Sequence, residues 1–153
     1  MARKAKKRRQ KTPLQKQEAR MKKTWGQAVR LRDRRCMICG RTEGKLDAHH
    51  KIEKSLSKYY AYDIDNGITL CFQCHRGNSK NAAHRNRSVF NERMEQYAPE
   101  HWEWYKKKWL DVPMMERPKW ERDFDEREEE LNEMLSTIKA GNYVKRFCGD
   151  CNG

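Results

Sequence analysis

"LDAHHKI", residues 46–52, sets two adjacent histidines in an alternating stretch with the pattern of a short strand. Neighbouring residues of a strand point to opposite faces. One of His49 and His50 can therefore face inward as a metal ligand while the other faces something else. Upstream stands "CMICG" (36–40), and downstream "GITLC" (67–71) runs straight into "FQCHRGNSK" (72–80). The latter reads as the start of a helix. The order is knuckle, strand, loop, strand, helix, with cysteines at both ends, which predicts a small hairpin clipped to the helix that follows it.

The six cysteines occur as three Cys-x-x-Cys pairs: Cys36 and Cys39, Cys71 and Cys74, Cys148 and Cys151. In a reducing compartment such pairs read as metal knuckles before disulfides. A redox motif is the competing reading, but none of the pairs opens a helix after a βαβ pattern. Cys36, Cys39, Cys71 and Cys74 have the composition of a closed tetrahedral zinc site, in which thiolate and Zn²⁺ match in softness. Four thiolates leave no open position, so any chemistry has to come from the insert between the knuckles. The third pair, "CGDC", is a half-site without an evident partner. A second chain, His84 or His101 could complete it, and it stays unassigned.

Hydrophobic residues make up 36% of the 153 residues and charged ones 37%. A chain this polar has little to bury, and a metal staple compensates for a small core. No run of 18 apolar residues predicts a membrane span. The basic N-terminus lacks the apolar stretch of a secretory signal. An intracellular, cytoplasmic and DNA-associated location is the expectation. The formal net charge of +13 is unevenly placed: residues 1–35 hold 15 Lys/Arg against Glu18 and Asp33. A basic arm in front of the first cysteine is the usual electrostatic footprint of a nucleic-acid binder. A solubilising tail or a localisation signal is the plainer alternative.

Three segments are expected. Residues 1–12 read as a disordered basic arm. Residues 13–98 read as one domain with an N-terminal helix and a core at 34–82, and residues 99–153 as a helical C-terminal extension ending in the half-site. Thr12, Pro13 and Gln15 form a helix start with a capping box. Leu14, Met21, Trp25, Ala28 and Val29 follow as one stripe, and Thr24 with Gln27 repeats the capping pattern, so one bent helix or two short ones both fit. Residues 53–66 read as a loop held by aromatics. Phe90, Met94 and Tyr97 mark a helix, Trp102, Tyr105 and Trp109 the next. Trp120, Phe124, Leu131, Met134, Leu135 and Ile138 mark a last, amphipathic helix with an acidic outer face. Such stripes are packing seams, and no catalytic role is assigned to them.

With the runs "RLRDRRCMICG", "LDAHHKI", "DNGITLC" and "CFQCHRG" in order, the chain resembles the HNH endonucleases, the ββα-metal nucleases, over about residues 27–80. The basic arm and small size resemble phage-encoded members. The resemblance implies an α+β, mostly helical protein: a ββα-metal core stapled by a four-cysteine zinc site, with flanking N- and C-terminal helices. It implies that His49 is a metal ligand, that His50 is the general base, that Asn66 braces the loop orienting the base, and that His75 is the second metal ligand. Ser79 stands where some members carry a further histidine. Mg²⁺ or Mn²⁺ is the catalytic ion the resemblance suggests, whereas two imidazoles would also suit Zn²⁺ or Ni²⁺. Taken singly, each residue has a plainer reading: a histidine mixed into the structural zinc site, a surface histidine, an Asn-Gly turn.

The expected partner is DNA, held by the arm and by Lys51, Arg76, Lys80, Arg85 and Arg87 near the site, with low sequence specificity because no base-reading module is visible. A second copy of the chain or other DNA-processing proteins are further candidate partners. The alternative to a nuclease is a non-catalytic zinc-containing nucleic-acid-binding module. A third reading has the acidic helix at 119–139 docking a basic partner or covering the arm.

Overall fold

The computed structural model describes residues 10–78, 80–112 and 122–143. The first nine residues of the arm, Ser79, Trp120 and the Cys148–Cys151 pair lie outside them.

Helix α1 (Pro13–Asp33) is a single unbroken helix. It starts where the sequence places a cap: the Gln15 N–H donates to Thr12 Oγ1 at 3.2 Å, and the Thr12 N–H donates to Gln15 Oε1 at 3.1 Å. The second capping pattern, at Thr24, does not restart it, because Met21, Trp25, Ala28 and Val29 continue one buried stripe through that point. Arg34 ends the helix in a left-handed conformation (φ 60°).

Strands β1 (Leu46–His50) and β2 (Gly67–Cys71) pair antiparallel, with His49 opposite Ile68 and His50 opposite Gly67. All five β2 residues are buried. Helix α1 crosses the hairpin closely at Gly67, where a Cβ would collide with the Val29 side chain. The loop between the strands contains two 3-10 turns, Tyr59–Tyr62 and Ile64–Asn66, and buries Tyr60, Ala61, Tyr62 and Ile64.

Helix α2 (Phe72–His75) is one turn long, shorter than "FQCHRGNSK" suggested. The Arg76 and Gly77 N–H groups both close on the Phe72 carbonyl at 2.8 Å, which ends it. The chain then doubles back: the Ala83 N–H reaches the Cys74 carbonyl and the His84 N–H reaches that of His75. Helices α3 (Arg87–Tyr97), α4 (Pro99–Trp109) and α5 (Arg122–Lys139) follow.

Two hydrophobic clusters flank the hairpin. Ile52, Tyr60, Ile68, Leu70, Phe90, Met94 and Tyr105 join it to α3 and α4. Met21, Trp25, Val29, Ile64, Phe124, Leu131, Leu135 and Ile138 join α1, the loop and α5. Burying each large apolar side chain contributes about 1.5–3 kcal/mol before chain entropy is counted. The polar edge of α5 also meets α1, through Arg20–Glu128 at 2.9 Å and Gln17–Asp125 at 2.7 Å. The whole is a mostly helical α+β fold around a ββα core.

Candidate active site

Two donor clusters sit at the hairpin. In the first, the sulfurs of Cys36, Cys39, Cys71 and Cys74 lie within 4.8 Å of one another. The first knuckle is shaped by Gly40, which adopts φ 74° and donates its N–H to the Cys36 carbonyl at 2.8 Å. A bond from the Met37 N–H to the Thr69 carbonyl ties that knuckle to β2. Cys39 and Cys71 sulfurs are 3.7 Å apart, against roughly 3.8 Å for the edge of a tetrahedron with Zn–S of about 2.3 Å. A hydrogen bond from Cys74 draws the Cys36 thiol below its ordinary value, which favours a thiolate within this tightly packed set. This cluster can hold a structural zinc.

The second cluster is His49 on β1, His75 at the end of α2 and His84 on the returning loop. His75 Nε2 and His84 Nε2 are 3.0 Å apart. Two nitrogens bound to one ion at about 2.0–2.1 Å would be roughly 2.9–3.4 Å apart, so the spacing suits coordination. His49 Nε2 is buried and has no hydrogen-bond partner, a costly state for a polar atom unless something fills it. Burial holds all three imidazoles below the ordinary histidine value: His49 well below it, with the neighbouring histidines adding to the effect, and His75 against the opposing pull of Asp47. Neutral rings with free lone pairs are what a cation needs. Asp47 Oδ2 lies 3.4 Å from His75 Nδ1. A proton on Nδ1 leaves Nε2 as the donor atom facing the cluster, the carboxylate–imidazole support common around bound metals.

Asp47 has no role in the sequence reading, and His84 enters it only as a possible partner of the Cys148–Cys151 half-site, not of His49 and His75. Asp47 was open to detection, being two residues from His49 and so on the same strand face. His84 was not: it arrives only because the chain reverses after Gly77.

His50 sits on the other face of β1, as strand alternation requires. Its ring stacks on Trp25 of α1, with centroids 3.9 Å apart and planes within 9°. Its Nε2 is 2.8 Å from the Ala61 carbonyl. A carbonyl can only accept, so Nε2 carries the proton and, in the neutral ring, Nδ1 carries the lone pair. Burial lowers its pKa, the Ala61 bond opposes this, and Lys54 and Lys22 lower it further. Asn66 is fully buried behind it. Its Oδ1 accepts from the Ile52 N–H at 2.7 Å, and its Nδ2 donates to the carbonyls of Ile52 and Tyr60 at 3.0 and 2.9 Å. The asparagine thus ties down the stretch that presents Ala61 to His50.

The basic residues divide. Lys51, expected to meet a nucleic-acid strand, is 0% exposed, a correction to that expectation. Its ammonium donates to the His101 carbonyl at 3.2 Å and lies 4.2 Å from the Trp104 ring centroid. Its stem fills space under α4, and parity along β1 gave no warning because the strand ends at His50. Arg87 is also spent on the protein, donating to the Lys51 carbonyl and pairing with Glu53. Arg76, Lys80 and Arg85 line an open basin of about 780 Å³ that reaches His84.

A short hairpin and helix carrying two donor clusters defines a ββα-metal core. Residues 36–81 match the family model described as HNH endonuclease, so the chain carries a domain of that nuclease family there. No curated protein and no solved structure matches the chain. His84 falls just after the matched segment, and Trp25 falls before it. No helix among the described residues is long and apolar enough to cross a membrane.

Proposed function

We propose that the protein is a metal-dependent DNA endonuclease that hydrolyses phosphodiester bonds at one divalent ion with His50 as general base. The observation that carries this reading is the division of labour along β1. His49 offers an unpartnered buried nitrogen to two other imidazoles, while His50, one residue on, is locked with Nδ1 as its lone-pair atom. Nδ1 takes the proton of an attacking water, the water oxygen bonds to phosphorus, and the P–O3′ bond breaks. Near neutral pH a depressed pKa keeps the ring unprotonated and able to accept. Asn66 keeps the Ala61 carbonyl in place, so the ring does not have to be oriented during the reaction.

A divalent ion held by His49, His75 and His84 would supply stabilisation of the charge on the phosphate and on the leaving 3′ oxygen. Three nitrogen donors favour Mn²⁺, Ni²⁺ or Zn²⁺ over Mg²⁺. Zn²⁺ is the fitting ion for the four thiols. Arg76, Lys80 and Arg85, beside His84, neutralise phosphates of the bound strand, and each such contact releases counterions. The size, the basic arm and the resemblance to phage-encoded nucleases make a phage DNA-processing role our reading of its biology.

Supercoiled plasmid incubated with the protein and Mn²⁺, Ni²⁺ or Mg²⁺ tests the proposal. Nicked or linear product from wild type, none from His50→Ala, and none with EDTA is the expected result. A gel shift that leaves the plasmid intact under every metal would replace the nuclease with a binding module.

A further inference from the structure

Helix α1 precedes the matched segment, yet it touches the His50 ring directly. Trp25 covers one face of that ring, and the indole is itself fixed by donating Nε1–H to the Asp63 carbonyl at 2.8 Å. An imidazole on a fixed strand has two soft freedoms, the direction of the ring and the tilt of its plane. The Nε2–H bond to Ala61 sets the first. The stacked indole sets the second. Neither restraint alone would aim Nδ1.

Arg32 acts one step further back. Its side chain is 1% exposed and bonds Asp33 through two nitrogens, at 2.7 and 3.1 Å. The fork also reaches two backbone carbonyls, Ile64 through Nη1 and Gly67 through Nη2, both at 2.8 Å, and Nη1 lies 3.5 Å from Asp65 Oδ1. These carbonyls bracket Asn66. Asp33 in turn accepts from the Thr69 N–H of β2 at 2.8 Å, which anchors the guanidinium to the sheet as well as to the helix. A rigid, planar five-donor group suits such a bracket, and a lysine could not span it. The connection runs from Arg32 to the backbone around Asn66, from Asn66 to the Tyr60 carbonyl, and from the next residue, Ala61, to His50.

We infer that α1 supplies two positioning residues for the reaction: Trp25, whose face fixes the plane of the His50 ring, and Arg32, whose fork fixes the loop that receives its Nε2 proton. The inference rests on the reading of His50 as general base. Both side chains are buried, and both also hold the fold together. The distinguishing property is that they lie on the His50 side of β1, opposite the His49–His75–His84 cluster. A positioning role therefore changes turnover without changing metal or DNA affinity, whereas general loosening changes all three.

The test uses the full-length protein with Mn²⁺ and a short fluorescent duplex. Trp25→Phe keeps an aromatic ring but gives up the indole N–H bond and part of the stacked face. Arg32→Lys keeps a cation beside Asp33 but gives up the fork. We expect kcat to fall on the order of tenfold for Trp25→Phe and on the order of a hundredfold for Arg32→Lys, the scale on which misaimed groups lose rate. KM and Mn²⁺ affinity stay at wild-type values. Long-range ¹H–¹⁵N spectra of His50 carry the independent readout: one Nε2–H tautomer in wild type, mixed tautomers in Arg32→Lys, and a displaced ring-current shift in Trp25→Phe. An unchanged kcat, a loss of metal affinity in step with rate, or wild-type His50 spectra in both variants would overturn the inference. If Arg32→Lys does not fold, Trp25→Phe decides by the same three measurements. His50→Ala run alongside separates the two levels: if it cuts DNA normally the base assignment is wrong, and if it is inactive while the α1 variants turn over normally, only the positioning role is lost.

Discussion

Cys74 and His75 are neighbours in the chain but serve different clusters, and the comparison between those clusters explains the layout of the core. The sulfur cluster draws its four donors from the knuckle, the end of β2 and α2, and so closes the hairpin onto its helix. Four soft thiolates complete a tetrahedron and exclude substrate. The imidazole cluster draws three donors from β1, α2 and the returning loop, and its exposed member, His84, opens into a basin lined by Arg76, Lys80 and Arg85. Three donors leave coordination positions for phosphate and water. On the proposed reading, donor count and exposure, more than location, separate a staple from a reaction centre.

Breaking the staple has the largest expected effect. Cys36→Ser removes one of the four clustered sulfurs. Loss of a structural metal belongs to the rare class of changes that cost more than about 4 kcal/mol, and the bound metal is itself part of the folding free energy. Circular dichroism should show a collapsed thermal transition and metal analysis the loss of one zinc per chain. A variant that keeps both would mean the thiols only pack. Next comes the proposed base. His50→Ala should lower kcat by roughly 10²–10⁴ with an unchanged zinc content, while the lost stack on Trp25 and the unpaired Ala61 carbonyl lower the melting temperature by a few degrees at most. Residual cutting near wild-type rate would shift proton transfer to another group.

How much of this could be read beforehand differs between the clusters for a physical reason. The sulfur set is built from two local knuckles, and the spacing of Cys36 with Cys39 and of Cys71 with Cys74 is visible in any chain. The start of α1 at Thr12 and Pro13 was legible on the same local ground, as were both strands. The imidazole set depends on a reversal. Gly77 lets the chain turn back, and only then does His84 reach His75; no local pattern links residues nine apart across an irregular turn. Lys51 misled in the opposite direction. A lysine beside two histidines in a basic chain suggests a phosphate contact, yet the aromatic floor supplied by Trp104 of α4, more than fifty residues away, takes it inside. The Trp25–His50 stack was hidden likewise, since a tryptophan in a helical stripe looks like any other core residue.

An intermediate effect probes the ligands. His84→Ala should weaken Mn²⁺ or Co²⁺ binding at the imidazole site by more than Asp47→Asn, for which a tenfold to hundredfold loss is expected from a removed carboxylate support. Isothermal titration of zinc-loaded protein reads both, since the sulfur site is then filled. Equal affinity in wild type and His84→Ala would reduce the cluster to His49 and His75, and the 3.0 Å contact between His75 and His84 would then be an ordinary hydrogen bond.

The smallest effect separates the rim of the basin from the interior beneath it. Arg76 and Lys80 are exposed beside His84, while the Lys51 ammonium is sealed under α4. Each phosphate contact contributes about 0.9 to the slope of log K against log salt for duplex DNA. Arg76→Ala and Lys80→Ala should each reduce that slope by about that amount in fluorescence-anisotropy titrations, with DNA affinity falling modestly at any one salt concentration. Lys51→Met keeps the length of the stem and removes a cation whose pKa burial already holds far below the ordinary lysine value. It should leave the slope unchanged and register, if anywhere, in thermal stability. A slope that fell with Lys51→Met and not with the rim variants would mean that the strand enters by way of α4, and that the basin beside His84 is not the path to the imidazole cluster.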